Sequence, residues 1–362
     1  MKIGILTQPL TSNYGGILQN YALQQALLRM GYNPLTIDIG KYTWLDWMKD
    51  VLKHAAKVAL REKFLLPRTP ISLNIENKPL RRFVERNICL SDRIKKPELK
   101  IITKNQINAI IVGSDQVWRP KYNWALLPDM FLEFAELLPI IKIAYAVSFG
   151  TDDWEFSQSQ TMLCSSLVKH FAAVSVREES GVQLCKQYLG IEAVHVLDPT
   201  LLLNKEDYIK LCGQIPSRAP FVFAYILDVT EVKKNEIVRF ANQKGLSYVI
   251  KSAGEKISKN DSVENWLSLF RDAQFIITDS FHGTVFSIIY NKEFWVYTNH
   301  KRGNSRFQSL LDIFGLKDRL IDEKSIPDMN PIEWEKVNQI KEEKRNFALS
   351  FLRDNLNPLN IV

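Results

Sequence analysis

Short apolar runs, each stopped by polar or glycine residues and each followed by a stretch of helical period, recur along this 362-residue chain. Such alternation demands a parallel sheet flanked by helices, because parallel neighbours need a crossover between them. Residues 2–7 form the first run, a buried-strand signal closed by Thr7-Gln8-Pro9. Gly15 and Gly16 open a helical pattern through Ile17, Leu18, Tyr21, Ala22 and Leu28 that stops at Gly31, and 34–39 is the next strand. The rhythm returns with strands over 109–113, 141–148 and 171–176, a helix over 179–189, and a strand over 193–197 ahead of Asp198-Pro199.

From about residue 215 the pattern starts afresh. Strands are expected at 221–227, 247–251, 274–278 and 293–297, with helices at 232–244, 263–272 and 283–290 between them. Pro216 and Pro220 bracket a linker, and a polar helix over 333–353 closes the chain. At about 150 residues per domain, the length allows two. The expected architecture is α/β, with two Rossmann-like domains facing a central cleft. The first spans 1–215 and carries a basic helical insertion at about 41–104. The second spans 216–330, and 331–362 is a helical tail. Open α/β sheets hold ligands beyond the carboxyl ends of their strands, so the chemistry is expected in the cleft.

The residue content excludes other classes. With 46% hydrophobic and 24% charged residues the chain can bury a core, so disorder is excluded. No apolar stretch approaches the roughly 18 residues of a membrane span, and the best, 137–149, is broken by Lys142. The first residues run straight into a strand without the design of a signal peptide, and four cysteines are scattered with no Cys-x-x-Cys pair. A cytoplasmic, reducing location is therefore expected, rather than a disulfide scaffold or zinc module.

The net charge of +7 is unevenly placed. Residues 41–104 hold 16 basic and seven acidic side chains, a local +9, and the rest of the chain sums to −2. Within this segment 44–66 reads as an amphipathic helix, with Trp44, Trp47, Met48, Val51 and Leu52 set against Lys49, Lys53, Lys57, Arg61 and Lys63. Its apolar stripe either packs on its own domain or lies on an anionic membrane surface. No groove-reading motif accompanies the charge, so nucleic acid is not expected as a partner.

Five stretches place reactive or anion-binding side chains at strand ends. Thr11-Ser12-Asn13-Tyr14-Gly15-Gly16 lets backbone approach a ligand at a helix start, although a turn needing glycine for conformation explains it equally. It is neither a dinucleotide fingerprint nor a Walker sequence. Gly113-Ser114-Asp115-Gln116-Val117-Trp118-Arg119 puts Asp115 directly after a buried strand, as a reactive carboxylate or a turn cap. Val174-Ser175-Val176-Arg177-Glu178 offers Arg177 as a surface ion pair or as a fork for phosphate or carboxylate. Thr278-Asp279-Ser280-Phe281-His282-Gly283 delivers His282 to a helix start, where the helix dipole disfavours imidazolium and favours an anion. His54, His170 and His195 lie in ordinary helix or strand contexts. The loop at 298–306 carries His300, Lys301, Arg302, Asn304 and Arg306, an anion site or a solvated basic loop. No carboxylate–histidine cluster has metal-ligand spacing, so neither a metal nor another cofactor is expected.

Together, Gly4-Ile5-Leu6, Asn13-Tyr14-Gly15-Gly16, Gly113-Ser114-Asp115-Gln116-Val117-Trp118, Ser175-Val176-Arg177-Glu178, Leu197-Asp198-Pro199-Thr200 and Ser280-Phe281-His282-Gly283 resemble the polysaccharide pyruvyl transferase family, in order, from residue 1 to about 320. The resemblance implies a fold like the GT-B glycosyltransferases, with acceptor on the N-terminal side and donor on the C-terminal side. It implies transfer of pyruvate from phosphoenolpyruvate onto two hydroxyls of a sugar, making a cyclic ketal and releasing phosphate. The family's characteristic histidine maps onto His282 and its strand-end arginine onto Arg177. Many members have Arg-Leu-His where this chain has Ser280-Phe281-His282, which removes one cation.

On this reading His282 and Asp115 carry the proton chemistry, with Asp279 as a further candidate. Arg177, Ser280, Gly283, Arg302, Asn304 and Arg306 hold the co-substrate phosphoenolpyruvate, and Asn13, Tyr14, Gly15 and Gly16 meet the acceptor. The acceptor is expected to be a sugar or lipid-linked oligosaccharide, and 44–66 to hold the chain peripherally at the inner face of the membrane. Whether it works as a homo-oligomer stays open. A GT-B glycosyltransferase using a nucleotide sugar, and a non-catalytic glycan-binding or assembly subunit, are the competing readings.

Overall fold

The structure is a computed structural model that describes residues 1–58, 67–213, 215–252, 261–299, 303, 305–322, 326–327 and 330–357. Among these, β1 (Lys2–Leu6), β2 (Asn33–Thr36), β3 (Ala109–Val112), β4 (Ile141–Val147), β5 (Ala173–Val176) and β6 (Val194–His195) form one sheet in the order β2-β1-β3-β4-β5-β6. A second sheet has the order β11-β10-β9-β7-β8, built from β7 (Phe221–Ile226), β8 (Ser247–Ser252), β9 (Phe275–Thr278), β10 (Glu293–Tyr297) and β11 (Leu320–Ile321). The pairings in both are parallel. Strands β3, β4 and β7 are buried at every residue, so they read as unbroken apolar runs rather than alternating ones. The two-residue β11 carries no such run and has no signal in the sequence.

The two sheets place their crevices in the same way. In each, the first strand lies between the second and the third: β1 between β2 and β3, and β7 between β8 and β9. The chain therefore changes direction beside β1 and beside β7, and a crevice opens there at the carboxyl ends. Helix Tyr14–Arg29 leaves β1 at the first crevice, and helix Phe281–Ile289 leaves β9 at the second. The first of these stops just before Gly31, which supplies a φ of +84°. The helix read over 179–189 is α-helical only to Leu184; it finishes as a π-turn, Cys185–Leu189, before Gly190 at φ +68°.

An apolar cluster is shared between the two units. Ile17, Leu18 and Phe83 from the first pack with Trp266, Phe281 and Phe286 from the second. Tyr14 crosses the boundary to stack on Trp266 at 5.3 Å between ring centres. Helix Trp334–Asn355 adds a strap, with Val337 in the shared cluster and Ala348 and Leu352 against the first sheet's Ile3 and Ile143. Full burial of Leu352 alone contributes about 1.5–3 kcal/mol. The cleft is thus braced on both sides. The basic insertion is helical at Trp44–Val58, Pro70–Glu76, Lys78–Asn87 and Leu99–Asn105. Residues 59–66 of the expected 44–66 helix lie outside the described residues. Among the described residues, no helix is long and apolar enough to cross a membrane.

Candidate functional site

A cavity of about 620 Å³ lies between the carboxyl ends of the two sheets. Both crevices open into it. After β1 and β3 come Asn13, Tyr14, Gly15 and Asp115; after β7 and β9 come Leu227 and Ser280, Phe281 and His282. Tyr42, Arg68, Leu73 and Asn77 of the basic insertion close one side, and Arg306 lines the cavity from the start of helix Ser305–Phe314.

On the first sheet, the turn after β3 is fixed from beneath. Trp118 is buried, stacks on Phe131 at 4.4 Å and donates from Nε1 to the Met130 carbonyl at 3.0 Å. Above it Asp115 takes φ +71°, a conformation that aspartate tolerates better than most residues. Its carbonyl accepts from Val117 N and Ser148 N, which holds the backbone in place. Strain of this sort concentrates at functional sites. The carboxylate accepts from Gln116 N at 2.9 Å, from Asn13 Nδ2 at 3.2 Å and from Arg177 Nη2 at 3.2 Å.

Arg177 then reaches a second carboxylate, donating from Nη1 to Asp198 Oδ2 at 2.8 Å. Asp198 also accepts from Thr200 N at 3.0 Å and Thr200 Oγ1 at 2.6 Å. Burial works to raise the pKa of both aspartates and is outweighed. Arg177, His282 and Arg306 hold Asp115 below the usual carboxylate range. For Asp198 the His282 ring, Arg177 and Thr200 do the same. Both are therefore carboxylates at neutral pH, suited to stabilising positive charge rather than to giving up a proton.

On the second sheet, Ser280 caps helix Phe281–Ile289 by accepting from Gly283 N at 3.3 Å. That cap places His282 at the second position of the helix, 7% exposed, with Nε2 facing Asp198 Oδ2 at 3.6 Å. The imidazole lies against Gly15 so closely that a Cβ there would sit 2.0 Å from Nδ1. Glycine at 15 is required by this approach. Phe281 is held between two guanidinium groups, Arg177 at 4.3 Å and Arg306 at 5.6 Å from its ring centre. Burial, with Arg177 nearby, pulls the Arg306 pKa down to about 10. A cation whose charge is disfavoured in this way gains from an anion entering the cavity.

Several of the residues singled out in the sequence meet here, and several do not. Asn13, Tyr14, Gly15, Asp115, Ser280, His282 and Arg306 all line the cavity. Arg177 stands behind the wall, its fork taken by two carboxylates rather than offered to a ligand. Gly16 is buried in the helix, beside Asn13. Gly283 gives its amide to Ser280 and packs its Cα on Thr278, so its role is close packing. Asp279 is on the wall, but its oxygens accept from Asp228 N, Leu227 N and Lys233 Nζ, the last at 3.1 Å. Arg302 and Asn304, with His300 and Lys301, lie outside the described residues.

Sequence reasoning passed over Asp198 as a partner for the histidine, having placed it only at the end of a strand and within the motif Leu197-Asp198-Pro199-Thr200. It also passed over Arg68, for which the basic insertion was the only signal.

The model of the family described as "Polysaccharide pyruvyl transferase" matches residues 13–301. No curated protein matches the sequence. Among solved structures, the chain is similar to a UDP-GlcNAc 2-epimerase from Neisseria meningitidis bound to UDP-GlcNAc. The TM-score is 0.53 at 10% identity, covering 98% of this chain and 99% of that one. It is also similar to an S. aureus MnaA–UDP co-structure, with a TM-score of 0.50 at 11% identity, covering 100% and 98%. These likenesses are of fold: two Rossmann-like units around a central cleft, in the GT-B-like manner, with a C-terminal helix.

Proposed function

The chain belongs to the polysaccharide pyruvyl transferase family, a family of transferases, and from that premise we propose that it moves pyruvate from phosphoenolpyruvate onto two hydroxyls of one sugar. The reaction makes a cyclic ketal and releases phosphate. The methylene carbon of phosphoenolpyruvate takes one proton and becomes the ketal methyl. The central carbon bonds to two sugar oxygens and loses its bond to the phosphate oxygen. Of the two hydroxyl protons released, one restores the proton donor and the other leaves with phosphate.

The observation that carries this reading is the His282–Asp198 pairing at the cavity floor. With Nε2 turned to a carboxylate, the histidine can hold a proton at the wall of the cavity in which the donor would bind. Asp198 and Asp115 both set negative charge close to the ring. Arg306 and the start of helix Phe281–Ile289 serve the anionic groups of phosphoenolpyruvate. Arg306 supplies a cation in the region where the motif has Ser280 rather than arginine. Arg177 acts one step back, locking both aspartates in place. Asn13, Tyr14 and Gly15 face the acceptor, and Arg302 and Asn304 remain donor contacts of this proposal.

Two assays test it. Phosphoenolpyruvate should raise the thermal unfolding midpoint, and phosphate release should require both an acceptor sugar and His282. Stabilisation by nucleotide sugars and not by phosphoenolpyruvate would favour glycosyl transfer. Ligand binding without turnover, indifferent to His282→Ala, would make the chain a glycan-binding subunit.

A further inference from the structure

We infer that the outward face of helix Trp44–Val58 docks this chain on an anionic lipid bilayer. A surface helix normally turns its apolar stripe inward. This one does the reverse. Trp44, Leu45, Met48 and Leu52 are 50%, 65%, 47% and 70% exposed. Their spacing puts them on one face. The acidic residues are engaged instead: Asp46 pairs with Lys95 and accepts from Thr43 Oγ1, and Asp50 accepts from the Tyr42 hydroxyl at 2.8 Å. Trp47 is the anchor, donating from Nε1 to the Pro67 carbonyl at 3.0 Å and meeting Trp44 edge-on at 5.6 Å. Named contacts therefore fix which side faces out.

Charge selects the occupant. Lys49, next to Met48 in the helix, and Lys41, three residues before the helix begins, are both exposed. The segment around them carries a local +9, while the remainder of the chain sums to −2. The local +9 already counts Asp46 and Asp50, so the segment stays net positive with its acids included. A second copy would bring the same positive segment against itself, which disfavours a dimer through this face. Anionic headgroups complement it, and a half-exposed tryptophan beside lysines suits the headgroup boundary. The face also adjoins the cavity. Tyr42 just before the helix and Arg68 just after Pro67 both line it, so docking sets the cavity beside the bilayer.

The inference does not rest on pyruvyl transfer, and its test measures no turnover. Purified full-length chain is floated with vesicles of about 30% phosphatidylserine in phosphatidylcholine, at low and high salt, beside pure phosphatidylcholine vesicles. The double variant Met48→Glu, Leu52→Glu changes only exposed side chains, and circular dichroism checks that it is folded. The wild type should float with the anionic vesicles at low salt and not with the neutral ones. High salt or the double variant should lower the bound fraction by about tenfold or more. Absence of flotation, or flotation indifferent to the double variant, overturns the inference. So does light scattering that finds a dimer which the double variant dissociates, because the face would then belong to a second copy.

Discussion

Asp115 and Asp279 occupy corresponding places, each closely following the third strand of its own sheet at the point where the chain changes direction, yet they face different tasks. Asp115 is held by Asn13 and Arg177 and lends its charge to the cavity. Asp279 is drawn back by Lys233 and by two amides of the turn after β7, so it ties its own unit together. Three residues on from Asp279, the second unit presents His282, and after β10 it presents Arg306. One sheet thus contributes fixed negative charge, and the other contributes a histidine, proposed above as the proton carrier, and a cation. Neither half holds a complete site, because the histidine and its carboxylate come from opposite sides of the cleft.

His282→Ala should break this comparison most severely, lowering kcat by about 10²–10⁴-fold while circular dichroism stays unchanged. A variant retaining more than half the activity would remove His282 from the chemistry. Gly15→Ala attacks the same apposition from the other sheet. Its new Cβ must displace the imidazole it would meet at 2.0 Å, and misplacement on that scale costs on the order of 10²-fold in kcat. Normal turnover in that variant would mean that the two crevices do not close on each other as described.

Arg177 and Arg306, the two arginines that meet Phe281, sharpen the division further. Arg306→Lys should raise KM for phosphoenolpyruvate by about tenfold with little loss of stability. Arg177→Lys should do the opposite, costing about 2 kcal/mol in urea unfolding as one of its two carboxylate bonds is lost, with KM nearly unchanged. Reversed results would move Arg177 into the donor site.

The smallest effect is on acid stability. Asp115 and Asp198 have folded pKa values below their unfolded ones, so the unfolded chain binds more protons as the pH falls. Their contribution is complete above the unfolded value of about 3.9 and is lost as pH drops through the folded values. The urea midpoint should therefore hold steady from neutral pH to about 5 and fall below about 4. A decline beginning near pH 6 would implicate a histidine instead.

Most of the framework was legible because strands buried on both faces, such as β3, β4 and β7, write themselves as apolar runs. Their polar exits pointed to the cleft, and with it to Asp115 and His282. What could not be read was who pairs with whom. Asp198 reads only as the end of a strand, yet it accepts from Thr200 N with one oxygen while the other meets Arg177 and faces His282. Arg177 looked like an open fork because both its partners are far away in sequence. Lys233 gave no hint that it would claim Asp279. The outward turn of Trp44, Met48 and Leu52 was equally hidden, since a helical period records that a face is apolar and not which way it points.

The pairing across the cleft is tested most directly by a double-mutant cycle on turnover with phosphoenolpyruvate and an acceptor sugar. If His282 and Asp198 act as one unit, Asp198→Asn lowers kcat on its own, and adding it to His282→Ala costs nothing more. If the two losses multiply instead, the residues work independently, and the account of a proton carrier assembled from two sheets is wrong.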